Sequence, residues 1–264
     1  MKKLISAAAM LAAAVSPLPV VAGPAKPTIV LVHGAFETSA VWIQVATKLE
    51  KAGYTVKNID LPGRTGNEAP MNAVSLQLYQ QTVAKAIADE TAPVVLVGHS
   101  FGGFTISAEA EAEPHKIKTL VYVAAYIPKN GDSLLSMATT DTGSKLGPLL
   151  DIDKEHGFAS VKPGTGGAVF ASDGPQQLQD AVSGAVVSEP LAPLATPVTL
   201  TATAFGKVDK VAIRTLRDEV ISPAFQAGMI KATPVRLALS VDTGHVPFLT
   251  QPDALAAEIE RVAG

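Results

Sequence analysis

The stretch "VVLVGHSFGGFT", Val94–Thr105, decides the fold. A run of apolar, mostly β-branched residues meets Gly98, passes through His99, Ser100 and Phe101, and reaches two more glycines ahead of a helix-forming run. It reads as strand, tight corner, helix. "GHSFG" has the form G-x-S-x-G, in which a serine sits on a sharp strand-to-helix turn with its Oγ exposed at the strand end. Glycines at 98 and 102 let neighbouring backbone come close, because a Cβ there would clash. The helix N-terminus beyond Ser100 offers free N–H groups to a developing negative charge. The five-residue pattern recurs by chance, and it gains weight here from the buried strand before it and the helix after it.

Similar short apolar runs recur on either side. Thr28–His33, Tyr54–Asp60, Pro93–Gly98, Ile117–Ala125, Lys210–Leu216 and Val235–Ser240 read as strands. Their near-continuous apolar character predicts burial on both faces, as in a parallel sheet. Helical patterns lie between them at Ser39–Ala52, Ala73–Glu90, Phe101–Glu113, Pro223–Lys231 and Pro252–Val262. This alternation predicts an α/β fold, an open and mostly parallel sheet with helices on both faces and right-handed crossovers. From Pro128 to about Pro197 the rhythm breaks into Gly, Pro, Ser and Thr, with helical patches near Asp132–Thr140 and Pro175–Ser183. So long a structureless loop is improbable inside a compact domain. Its evenly spread apolar residues, among them Leu134, Leu149, Val169 and Phe170, predict an inserted cap over the C-terminal edge of the sheet, at about residues 128–200 of a domain spanning 26–264.

The chain opens with "MKK", a twelve-residue apolar run and "SPLPVVAG". Positive start, short apolar core and small residues at Val20 and Ala22 predict a secretory signal peptide, residues 1–22, cut after Ala22, and so a periplasmic or secreted protein. The run is too short to span a bilayer, which takes about 20 residues, so no stable membrane insertion is expected. Cleavage removes Lys2 and Lys3 and takes the net charge from −3 to −5. With that charge and no basic cluster, a nucleic-acid partner is not expected. Hydrophobic residues are 47% of the 264, which suits a buried core. There is no cysteine, which rules out thiol catalysis, disulfides and thiolate metal sites.

A serine hydroxyl is a poor nucleophile at neutral pH and needs a base, and the base needs an orienting acid. Of the five histidines, His99 abuts Ser100 on a turn that should aim its ring away, and His33 closes the first strand in a shaping role. His115 lies in polar "EAEPHKIK" and His156 in the cap. His245, in "DTGHVPFLTQP" after the last strand, falls at the same sheet edge as the corner and is the expected base. The acid should lie between the two in the chain, at a strand's C-terminal end. Asp218 in "TLRDEV" fits, with Asp242 the alternative; Asp209 is at the wrong end of its strand and Glu219 faces differently. An oxyanion hole takes one N–H from the residue after the nucleophile, Phe101, and one from the loop after the first strand, where Ala35 of "HGAF" is the candidate. Phe36, Trp42, Tyr126 and Phe248, with Phe101, are candidate pocket walls.

"LVHGAFETSAVW", "LVGHSFGG", "TLRDEVISPAFQ" and "TGHVPFLTQP", in that order, resemble the α/β-hydrolase superfamily. More narrowly, the chain is similar to the group of plant methyl esterases and hydroxynitrile lyases and their bacterial esterase relatives. "DLPGRTGNE", Asp60–Glu68, matches that group's loop after its second strand. The resemblance implies a Ser100–His245–Asp218 triad, an oxyanion hole at Ala35 and Phe101, no cofactor and no metal. The plant lyases carry a threonine after the first-strand histidine and a lysine after the catalytic histidine. Here these positions are Gly34 and Val246, which favours hydrolysis of a small-molecule carboxylic ester over carbon–carbon lysis. Serine at 100 excludes the aspartate nucleophile of dehalogenases and epoxide hydrolases of this fold. A lyase or C–C hydrolase on the same triad and a non-catalytic binding protein of this fold are the rivals. The low aromatic content, 5%, and the Gly-rich cap lean toward small or medium acyl or aryl esters. Oligomeric state is not legible.

Overall fold

The computed structural model describes residues 25–264; the expected leader, residues 1–22, lies outside the described residues. The first half of the chain alternates as expected. β1 (Ile29–Val32) leads through a 3-10 turn, Ser39–Trp42, to α1 (Ile43–Lys51); β2 (Val56–Ile59) leads to α2 (Leu76–Ala86). β3 (Val94–His99), α3 (Gly102–Ala112) and β4 (Ile117–Val123) follow. Ser75 caps α2 by accepting from Leu78 N–H at 3.1 Å, so this helix starts three residues after the predicted Ala73, with a 3-10 turn at Met71–Ala73 before it.

Residues between β4 and the next long strand form a second small layer. It comprises α4 (Leu134–Ala138), β5 (Leu150–Asp153), β6 (Phe158–Val161), α5 (Gly166–Phe170), α6 (Gln176–Ala185), β7 (Glu189–Pro190) and α7 (Leu191–Ala195). β5, β6 and β7 pair antiparallel. The sequence suggests the helical patches at α4 and α6 and shows none of these strands. The chain returns to the sheet with β8 (Asp209–Thr215), α8 (Pro223–Ala232), β9 (Leu237–Val241), α9 (Pro247–Thr250) and α10 (Pro252–Ala263).

The main sheet runs β2-β1-β3-β4-β8-β9, with every neighbouring pair parallel. β1 ("IVLV") and β3 ("VVLVGH") are buried along their whole length, which requires cover on both faces. That cover comes from helices in two groups, α1 against α10 and α2 against α3. α1 turns Val45, Ala46 and Leu49 inward, one stripe at helical spacing. Because all strands point the same way, the loops after β1, β3, β8 and β9 share one edge. In register, Val32 faces Gly98, His99 faces Val123, and Thr215 faces Val241. No helix among the described residues is long and apolar enough to cross a membrane.

Candidate active site

Ser100 stands where β3 ends and α3 begins, with φ at 51°, one of three non-glycine residues among the described ones in the left-handed region. The conformation costs about 1–3 kcal/mol and persists only where its surroundings enforce it. Here Ser100 N–H donates to Val123 C=O (3.3 Å), while Ser100 C=O accepts from Gly103 (3.1 Å) and Tyr126 (3.2 Å) N–H groups. The flanking glycines leave the corner no slack. A Cβ on Gly98 would stand 2.7 Å from Gly102 O, and one on Gly102 2.8 Å from Val32 O. Ser100 opens into a cavity of about 280 Å³, walled by Ala35, Phe36 and Tyr126 and, from the smaller layer, by Leu134, Leu150, Ile152, Phe170 and Leu194. Asp141 is the one charged residue on its lining among the described residues, and its carboxylate is occupied by Ser222 N–H (2.7 Å), Ser222 Oγ (2.6 Å) and Gly143 N–H (3.1 Å).

His245 and Asp218 meet in the loops after β9 and β8, at the sheet edge where Ser100 stands, and no hydrogen bond joins His245 to Ser100. His245 Nδ1 lies 2.9 Å from Asp218 Oδ2, with both side chains fully buried. Asp218 accepts four further hydrogen bonds: Thr215 Oγ1 (2.7 Å) and Gln226 Nε2 (3.0 Å) on Oδ2, Val220 (2.8 Å) and Ile221 (2.9 Å) N–H on Oδ1. Burial would raise its pKa, but the adjacent His245 charge and these donors outweigh that and hold the carboxyl below the usual range. An ionised Asp218 requires a hydrogen on Nδ1, so neutral His245 keeps an acceptor at Nε2. That Nε2 is buried and has no hydrogen-bond partner among the described residues. Asp242, the alternative acid, is exposed and bonded to Arg217 Nε at 2.9 Å. Asp209 pairs with Arg236, and Glu219 with Lys145.

The loop after β1 faces Ser100. Ala35 lines the cavity, and neither Ala35 N–H nor Phe101 N–H donates to any acceptor among the described residues. Phe36 next door is also left-handed, φ 63°, and its N–H donates to Glu189 Oε2 at 3.0 Å. Glu189, from β7, is fully buried and paired with Arg64 Nη2, while its Oε1 accepts from Tyr79 Oη at 2.9 Å. The smaller layer thus reaches through to pin the loop. Arg64 lies in the matched stretch "DLPGRTGNE", but no sequence signal paired it with Glu189, 125 residues on.

The expected pocket residues divide. Phe36 and Tyr126 line the Ser100 cavity. Phe248 and Val246 line a second apolar cavity of about 260 Å³, which shares Phe36 and Phe170 with the first. Trp42 lines neither; it is fully buried against Phe248, ring centroids 5.0 Å apart. Phe101 packs its ring on Tyr79 and Phe104. His115 and His156 are exposed, His156 beside Asp153 at 2.7 Å. His99 points away from the cavity, its Nε2 2.8 Å from His245 O.

The sequence matches the alpha/beta hydrolase family over residues 29–258. It is 28% identical over 242 residues to a pyrethroid hydrolase of Sphingobium wenxiniae, covering 88% of this chain and 85% of that one. It is 27% identical to methyl jasmonate esterase 1 of Vitis vinifera, with 88% and 95% covered. The solved structure of a pyrethroid hydrolase from Sphingobium faniae JZ-2 superposes with TM-score 0.78 at 25% identity, over 90% of this chain and 97% of that one. The chain belongs to the alpha/beta hydrolase family, and the expectation of an ester hydrolase is borne out at that level.

His33 yields a pH test. Its Nδ1 lies 2.8 Å from Gly34 O, and its Nε2 accepts from Leu61 N–H at 3.1 Å, which fixes a neutral ring. Burial, then the Arg64 charge, lower its pKa from 6.5 to about 4. Above pH 6.5 neither folded nor unfolded state binds this proton. Between 6.5 and 4 only the unfolded chain does, so stability falls across that window by roughly 3 kcal/mol from this group. Nitrogen-15 NMR should find His33 still neutral at pH 5; titration at its ordinary value would contradict the assignment.

Proposed function

We propose that the protein is a carboxylic ester hydrolase that works through an acyl-enzyme on Ser100. The observation that carries this is the saturated Asp218 holding His245 at Nδ1 with Nε2 unpartnered, at the same sheet edge as the left-handed Ser100. Nε2 takes the proton as Ser100 Oγ attacks the ester carbonyl. Asp218 stabilises the imidazolium that forms, and the Ala35 and Phe101 N–H groups receive the oxyanion. The imidazolium then protonates the departing alcohol. Water enters, gives its proton to Nε2, and releases the acid from Ser100.

The substrate class follows from the lining. An apolar cavity of about 280 Å³ whose one carboxylate is already bonded fits an ester with at least one apolar half. Two relatives, one named a pyrethroid hydrolase and one a methyl jasmonate esterase, support that class. Among the described residues no lysine or arginine lines the cavity, so none of them offers an ammonium to a cyanide leaving group. The "MKK" start and the small-residue site at Ala22 support export. N-terminal sequencing of protein from a periplasmic or culture fraction should begin at Gly23, and a start at Met1 would refute cleavage.

Two substitutions test the mechanism in parallel with aryl esters of graded size. Ser100→Ala should keep the fold and lose nearly all turnover. Asp218→Asn should lower kcat by about 10³–10⁴, while Asp242→Asn stays within about two-fold. Equal losses at 218 and 242, or undiminished turnover in pure Ser100→Ala, would refute the assignment.

A further inference from the structure

His99 has a bonding pattern that its place beside the nucleophile does not explain. Its Nε2 lies 2.8 Å from the His245 carbonyl, and its Nδ1 lies 2.9 Å from Glu37 Oε2. A carbonyl and a carboxylate both only accept, so satisfying both contacts takes a hydrogen on each ring nitrogen. Glu37 Oε2 also accepts from Gly34 N–H at 2.8 Å, as an ionised carboxylate would. We propose that Glu37 and His99 form a standing carboxylate–imidazolium pair that positions His245 and the loop after β1 together. Both are positioning residues, and the inference rests on the esterase mechanism above.

The pair bridges the two halves of the site. Through Gly34 it fixes the segment that ends in the Ala35 N–H. Through the His245 carbonyl it fixes the backbone carrying the base, with the two imidazole rings 4.6 Å apart. Trp42 and Phe248 pack on the His99 ring and exclude water. Charged and titratable neighbours are His245 and Asp218 on one side, His33 and Arg64 on the other. Burial alone would push both partners toward their neutral forms. Their mutual attraction outweighs it, raising His99 above its ordinary range and lowering Glu37. Charge-assisted hydrogen bonds are roughly twice as strong as neutral ones, which suits an anchor for geometry.

Glu37→Gln separates charge from shape. Gly34 N–H and His99 Nδ1 both meet Oε2, so an uncharged glutamine serves only one of them: its NH₂ placed there donates to Nδ1 of a neutral His99, whose Nε2–H still reaches the carbonyl, and Gly34 N–H loses that acceptor. The variant should lose about ten- to a hundred-fold in kcat, the scale of a small misplacement, with KM within about three-fold. In the wild type, nitrogen-15 NMR should show both His99 nitrogens protonated from pH 5 to 8, and in the variant only Nε2. A folded Glu37→Gln protein with wild-type kcat, or a singly protonated His99 in the wild type, would overturn the proposal. If the variant fails to fold, the wild-type spectrum decides. Turnover surviving in Ser100→Ala would remove the esterase mechanism and leave the His99 spectrum standing, so the two failures are distinguishable.

Discussion

The approach of α3 to the end of β1 is the constraint from which the site follows. At Gly102 the helix backbone comes so near the Val32 and His33 carbonyls that a Cβ would stand within 2.9 Å of both. The chain must therefore turn from β3 into α3 without side-chain bulk, and only Ser100 is left to project from the corner. Its left-handed φ follows from that closeness. So does the position of the Phe101 N–H, the first free donor of the helix. A looser junction would let Ser100 relax to an ordinary turn, with no fixed relation to the loops after β1, β8 and β9.

Around that corner, buried charge is used to fix loops. Asp218 collects five donors at the end of β8 and sets the tautomer of His245. On the opposite flank, Glu37 and His99 join the first loop to the His245 backbone, and Glu189 with Arg64 joins the same loop to the smaller layer. Burying ion pairs adds little net stability, because desolvation offsets the attraction. Their effect is on geometry. Each ties a segment that has no strand pairing of its own to one that does.

Much of this was legible because it is local. Fully apolar runs mark β1 and β3, and the glycine spacing marks the corner. A carboxylate just past β8 and a histidine just past β9 fall at the required strand ends. The smaller layer was only half legible. β5 ("LDID") and β6 ("FASV") are four residues each, pair only with one another and β7, and carry too little apolar pattern to stand out. The pairing of Glu189 with Arg64 was out of reach for another reason. In a sequence they are an ordinary acid and base far apart, and only the fold buries them together. His99 shows the limit most sharply: the turn aims its ring away from Ser100, but what the ring faces lies 146 residues on, at the His245 carbonyl.

The central claim is that an acyl group passes through Ser100. The most direct measurement is rapid acid quench of the protein mixed with p-nitrophenyl butyrate, followed by intact-mass and peptide mass spectrometry. A butyryl adduct is expected on the peptide containing Ser100, formed at least as fast as nitrophenol appears and absent from Ser100→Ala. Nitrophenol release with the butyryl group found on another residue would contradict it.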